Sequence, residues 1–119
     1  MSNAFIELVR QDLIRRFKHG AMVAHFGFQD EDIAMQKAGI RAVNRTVREL
    51  DAFGYGGRSA LVSLLDDQDD GIRAFAAGHL LGLMPERALA ALKDIYDNGS
   101  ARPRMTAAQF IEEYEKGEL

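Results

Sequence analysis

Residues Leu64 to Leu92 read LLDDQDDGIRAFAAGHLLGLMPERALAAL. The tetrapeptide within it, Gly71-Ile72-Arg73-Ala74, occurs once before, 32 residues upstream, at Gly39-Ile40-Arg41-Ala42. Downstream the likeness continues at a shift of 31: IRAFAAGHL from Ile72 to Leu80 falls on PRMTAAQFI from Pro103 to Ile111. Arg73 thereby meets Arg104, Ala76-Ala77 meet Ala107-Ala108, and Leu80 meets Ile111. The stretches between correspond as well, ALVSLLDD from Ala60 to Asp67 aligning with ALKDIYDN from Ala91 to Asn98 at the same shift. Two kinds of segment alternating at a fixed period mark a repeat architecture.

Each segment has helical rather than strand periodicity. Ala60, Leu61, Leu64 and Leu65 share one helical face, and Ile72, Phe75, Ala76, His79, Leu80 and Leu83 keep the same period on the next segment. The punctuation agrees. Asp69 or Asp70 can cap a helix opening at Gly71, Pro85 suits the first turn of the following one, and Asn98-Gly99 ends it; Pro103 starts the last helix and Gly117 closes it. Upstream, Phe5, Ile6, Val9, Leu13 and Phe17 make an amphipathic helix reaching at least Lys18, and Ile40, Val43, Val47 and Leu50 make another that ends before Gly54. The pattern leaves open whether Ala21 to Phe28 extends the first helix past Gly20. The fold class expected is all-α: about six helices in antiparallel pairs, stacked as a short solenoid.

A chain of 119 residues is sized for one core, so a single domain over residues 1–119 is expected. With 47% apolar and 28% charged residues the composition is that of an ordinary soluble protein. The absence of cysteine excludes a disulfide framework, a Cys-based zinc site and a thiol nucleophile, and favours a cytoplasmic location. Glu7 and Asp12 interrupt the apolar pattern of the first residues, so neither a signal sequence nor a membrane span is expected there. The net charge of −3 conceals an asymmetry: residues 1–58 hold nine Lys/Arg against seven Asp/Glu, residues 59–119 six against eleven. An acidic protein overall lacks the basic footprint that phosphate backbones require, which argues against nucleic acid as a partner.

The run from Leu64 to Leu92 resembles a short HEAT repeat: a helix ending in Leu-Leu, an acidic turn, then Val/Ile-Arg, paired alanines and a Leu. Together with Asn44-Arg45 and the closing Tyr114-Glu115-Lys116-Gly117-Glu118-Leu119, it is similar to a bacterial HEAT-like family known as a domain of unknown function, over roughly residues 30 to 119. The period here is shorter than the roughly 40 residues usual for such repeats. The resemblance implies an α-α superhelix whose usual ligand is another protein. It also implies a ladder between turn aspartates and helix arginines, pairing Asp66 with Arg73 and Asp97 with Arg104, with Arg41 as the counterpart in the first copy. By this analogy the chain is expected to be a non-catalytic protein-binding module, an adaptor or an immunity-type protein, with no cofactor. The alternatives are an enzyme subunit or a small-molecule-binding regulator whose pocket is not visible in sequence.

Catalytic and metal-binding patterns are poorly matched. DDQDDG would place calcium ligands at Asp66, Gln68 and Asp70, but the twelfth position of such a loop is Ala77 where a bidentate Glu is needed. His19, His25 and His79 are scattered, with no His-Glu pair, so no metal site is expected; His79 lies on an apolar face and reads as semi-buried. Gly54-Tyr55-Gly56-Gly57-Arg58-Ser59 follows a helix and lacks the Lys of a phosphate loop, which makes it a connecting turn.

The candidate binding surface lies where the repeat departs from its own rule. The first copy has Asn44-Arg45 where the others have paired alanines, and Arg41, Arg45 and Arg48 recur at i, i+4, i+7 opposite Ile40, Val43, Val47 and Leu50. Pairing of Arg45 with Glu49 would make this an ordinary solvated face. Arginine forks flanked by Asn44 would instead recognise carboxylates on an acidic protein partner. The wide apolar arc of the first helix leads us to expect a weak homodimer through the N-terminal end.

Overall fold

A computed structural model describes residues 3–118 of the chain. Five α-helices, α1 (Asn3–Gln29), α2 (Ile33–Phe53), α3 (Asp70–Leu80), α4 (Pro85–Asn98) and α5 (Ala101–Glu115), and a 3₁₀ helix at Gly57–Asp66 account for the regular structure. The all-α expectation holds, with six helical elements and no strand among the described residues. None of the helices, among the described residues, is long and apolar enough to cross a membrane. The chain divides into two compact units, one up to Ala60 and one from Leu61 onward.

The first unit is a helical hairpin. Leu13, Phe17, Gly20, Ala24 and Gly27 are buried at alternating steps of four and three residues along α1, and Gly39, Val43, Thr46 or Val47, and Leu50 answer them on α2. This spacing is that of a coiled-coil seam. The glycines fix the antiparallel alignment. A β-carbon at Gly20 would meet Ala42 Cβ and Val43 N at 3.1 Å, one at Gly27 would run into the backbone of Gln36, and one at Gly39 would run into the backbone of Ala24. Hence α1 continues unbroken through Gly20, a residue unfavourable in a helix interior, because the missing side chain is what lets α2 approach.

Side-chain size grades along the seam. Small residues, Ala24, Gly27 and Gly39, sit towards the connecting turn, while Leu13, Phe17 and Leu50 sit towards the open end. The turn itself is a Schellman motif: Asp32 N donates to Gly27 O at 2.8 Å and Glu31 N to Phe28 O at 3.3 Å, with Glu31 left-handed at φ 56°. Asp32 then caps α2, its carboxylate accepting from Met35 N at 3.0 Å. At the open end, Phe5, Leu8, Val9, Leu13, Ala52 and Phe53 line an apolar groove of about 720 Å³. The apolar arc on which a homodimer is expected forms one wall of that groove.

The connection after α2 has four successive residues at positive φ, Gly54, Tyr55, Gly56 and Gly57, which explains its glycine content. Arg10 Nη2 donates to Tyr55 O at 2.9 Å, and the Arg58 guanidinium pairs with Asp51 at 2.6 Å.

In the second unit α3 is central. Gly71, Ile72, Ala74 to Gly78 and Leu80 are all buried, and α3 packs on both α4 and α5. Leu61, Leu64 and Leu65 of the 3₁₀ helix, Ala88, Leu92 and Ile95 of α4, and Pro103, Thr106 and Ala107 of α5 complete the core. Gly78 is small because the Phe110 ring lies over it, and that ring meets Phe75 edge-on at 6.2 Å. α3 begins at Asp70 and α5 at Ala101, a separation of 31 that equals the shift seen in the sequence. The earlier copy differs, since Gly39 lies in the second turn of α2 rather than at a helix start. The segment at Ala60 to Leu65, expected as α-helix, is 3₁₀; at three residues per turn Leu61 and Leu64 still share a face, so the burial pattern alone does not separate the two.

Candidate functional site

The outer face of α2 carries Arg41, Asn44, Arg45 and Arg48, all exposed. The four other arginines of this unit have acidic partners. Arg10 pairs with Glu7, Arg15 and Arg16 with Asp12 at 2.8 and 2.9 Å, and Arg58 with Asp51. Glu49, the residue expected to neutralise Arg45, lies 3.6 Å from Arg16 instead. Among the described residues Arg41, Arg45 and Arg48 have no ion pair, so the unmatched positive charge of the hairpin is concentrated on one helix face.

Arg45 stands apart from its neighbours in one respect. With Arg15, Arg16 and His19 of α1, and Ala42, Thr46 and Glu49 of α2, it lines a cleft of about 390 Å³ between the two helices. Asn44 and Arg48 lie outside it. The buried Thr46 does not offer its hydroxyl hydrogen to the cleft, because Oγ1 donates to Ala42 O at 2.8 Å. The Asp12 carboxyl is held below its ordinary range by the hydrogen bond from Arg15 and the charge of Arg16. Arg15 and Arg16 are not singled out by the sequence, and His19 reads there only as one of three scattered histidines. Their spacing on one side of the first helix was visible, but their place opposite Arg45 depends on the register that the glycines impose.

The ladder residues take other partners than expected. Arg73 Nη1 donates to Asp67 O at 2.6 Å and to Gln68 O at 3.3 Å, and Arg104 Nε donates to Tyr96 O at 2.8 Å. Neither arginine reaches the Asp66 or Asp97 carboxylate: Asp97 is exposed, and Asp66 is exposed and 3.7 Å from Arg87. The physical reason is that carbonyls in the last turn of a helix, such as Tyr96 O, and in the turn that follows one, such as Asp67 O and Gln68 O, lack intrahelical donors, and a guanidinium beside them satisfies a need that a solvated carboxylate does not have. Arg41 has no hydrogen-bond partner among the described residues.

The carboxylates of Asp67, Asp69 and Asp70 in the acidic turn already accept hydrogen bonds. Asp67 accepts from Asp69 N at 2.9 Å, Asp69 from Ile72 N at 3.0 Å, and Asp70 from Ser100. No three His, Asp or Glu side chains among the described residues are grouped to hold a metal ion. His79 is half-buried with its ring edge-on to Phe110 at 5.8 Å. No family model, curated protein or solved structure matches the chain.

Proposed function

We propose that this chain is a non-catalytic protein-binding module of the HEAT-like repeat kind, acting as an adaptor or an immunity-type protein. Its docking surface is the outer face of α2, and its partner is acidic there. One observation carries this reading: every arginine of the first unit outside α2 has a carboxylate, whereas Arg41, Arg45 and Arg48 have none among the described residues. Exposed guanidinium forks aligned on a rigid helix, with the side-chain amide of Asn44 between them, suit bidentate recognition of carboxylates. Such charges set the choice and the arrival rate of a partner more than its final affinity.

The test is affinity capture from lysate of the native host with the full chain as bait, comparing wild type with the double variant Arg45→Glu, Arg48→Glu. The variant should keep its circular dichroism spectrum and melting temperature and lose the captured partner. A folded variant that captures the same protein as well as wild type would eliminate this surface.

A further inference from the structure

We propose that the cleft between α1 and α2 is a subsite for one carboxylate on a short apolar arm, the side chain of a glutamate on the partner, and that Arg45 is the residue that reads it. This rests on the protein-binding reading above and adds to it the chemistry of one contact.

The charges around the cleft fix the guest's charge. Three guanidinium groups, Arg15, Arg16 and Arg45, face two carboxylates, Asp12 and Glu49. Asp12 bridges Arg15 and Arg16, and Glu49 approaches Arg16, which leaves the one unmatched charge on Arg45. A single negative charge completes the set, and a doubly charged phosphate would exceed it. The walls fix the guest's body. Ala42 and the methylene stems of the arginines make the lining largely hydrocarbon below a charged rim, the usual way long basic side chains cover a surface. A cleft of about 390 Å³ has room for more than a bare ion, so the guest is a carboxylate with methylenes behind it. The donors that face it are guanidinium groups: Arg45 supplies a fork, the Thr46 hydroxyl hydrogen is already committed to Ala42 O, and the lining carboxylate, Glu49, is drawn towards Arg16.

The experiment is a ¹H–¹⁵N chemical-shift titration of the full chain with N-acetylglutamate amide, its glutamine counterpart, free glutarate and inorganic phosphate. The blocked glutamate should move the amides of His19, Ala42 and Thr46, and the glutamine compound should not. Arg45→Gln should weaken the response by about fivefold or more, as loss of a charge-assisted contact at a partly open site does, and Lys93→Gln, an exposed cation of the second unit, should leave it unchanged. Shifts centred on Arg41, Asn44 and Arg48, sensitive to Arg48→Gln alone, would overturn the subsite and leave the docking face standing. An equal response to phosphate would overturn the assignment to a carboxylate, and much tighter binding of glutarate would assign the cleft to a free dicarboxylate and overturn the partner side chain. No shift with any probe would overturn the subsite outright. Partner capture tests the face through Arg45 and Arg48 together, whereas the titration tests the cleft through Arg45 alone, so the two ideas fail separately.

Discussion

The Asp70 carboxylate receives both the backbone N–H of Ser100, at 2.7 Å, and its hydroxyl, at 2.8 Å, across 30 residues of sequence. Ser100 is the N-cap residue of α5, yet its side chain makes no hydrogen bond to its own helix. The first turn of α3 thus ties down the start of α5. Asp70→Ala removes every bond of the tie at once, whereas Ser100→Ala leaves the backbone bond intact. We expect Asp70→Ala to cost about 1–2 kcal/mol and to lower the thermal midpoint by several degrees, with Ser100→Ala costing less. Equal losses from the two, measured by circular dichroism, would contradict this division.

Arg73 should matter through carbonyls. Arg73→Ala strips a charged donor from Asp67 O and Gln68 O, for an expected loss of about 1–3 kcal/mol. Asp66→Ala removes a carboxylate that is 82% exposed and should change the midpoint little. A ladder built on the Asp66 carboxylate would instead make the two variants equally harmful.

Gly39 should be the least replaceable glycine of the hairpin. The β-carbon of Gly39→Ala would lie 2.7 Å from Gly20 O and against the Ala24 backbone, neither of which can turn aside as a side chain can. We expect the upper end of the roughly 1–3 kcal/mol typical of overpacking. Gly82, where an added β-carbon meets nothing within 4 Å, is the control, and Gly82→Ala should be neutral or slightly stabilising. Urea denaturation of both variants distinguishes steric exclusion from a general intolerance of change at glycine.

Asp12 gives a pH-dependent prediction. Its carboxyl is held below the ordinary 3.8 by Arg15 and Arg16. A depressed acid stabilises the fold above its unfolded value, and that contribution is lost as pH falls through the folded value. The melting difference between wild type and Asp12→Asn should therefore be small and steady near neutrality and vanish in strong acid. High salt should shrink it, since the pair is exposed. The same variant frees Arg15 and Arg16, so it should tighten carboxylate binding in the cleft near neutrality; weaker binding would contradict the charge assignment there.

What was legible in the sequence follows from what sequence encodes. The helices of the second unit announced themselves through caps that act locally: Asp69 before α3, Pro85 opening α4, Gly117 closing α5. Passage of α1 through Gly20 was not legible, because a glycine that breaks a helix and one that admits a neighbour are the same letter until the neighbour is known. For the same reason the two copies of Gly-Ile-Arg-Ala gave equal expectations for Arg41 and Arg73. One lies well inside a long helix, the other just past a turn whose carbonyls need donors. The arginines of the α2 face were legible from spacing; the cleft beside them was not, since half of its wall comes from a helix some 30 residues away in the chain.

The size gradient along the hairpin seam also acts as a register lock. Sliding α2 by four residues, about one helical turn, towards the connection would carry Val43 to the neighbourhood of the contacts that now accept only Gly39, so the neighbouring alignment is closed by steric exclusion rather than merely less favourable. Arg45 faces Arg15, Arg16 and His19 because of that lock. The polar chemistry of the cleft is thus positioned by residues that have no side chain, and a lineage could change every charge in it, and with them the ligand, while Gly20, Gly27 and Gly39 kept the two walls in the same alignment.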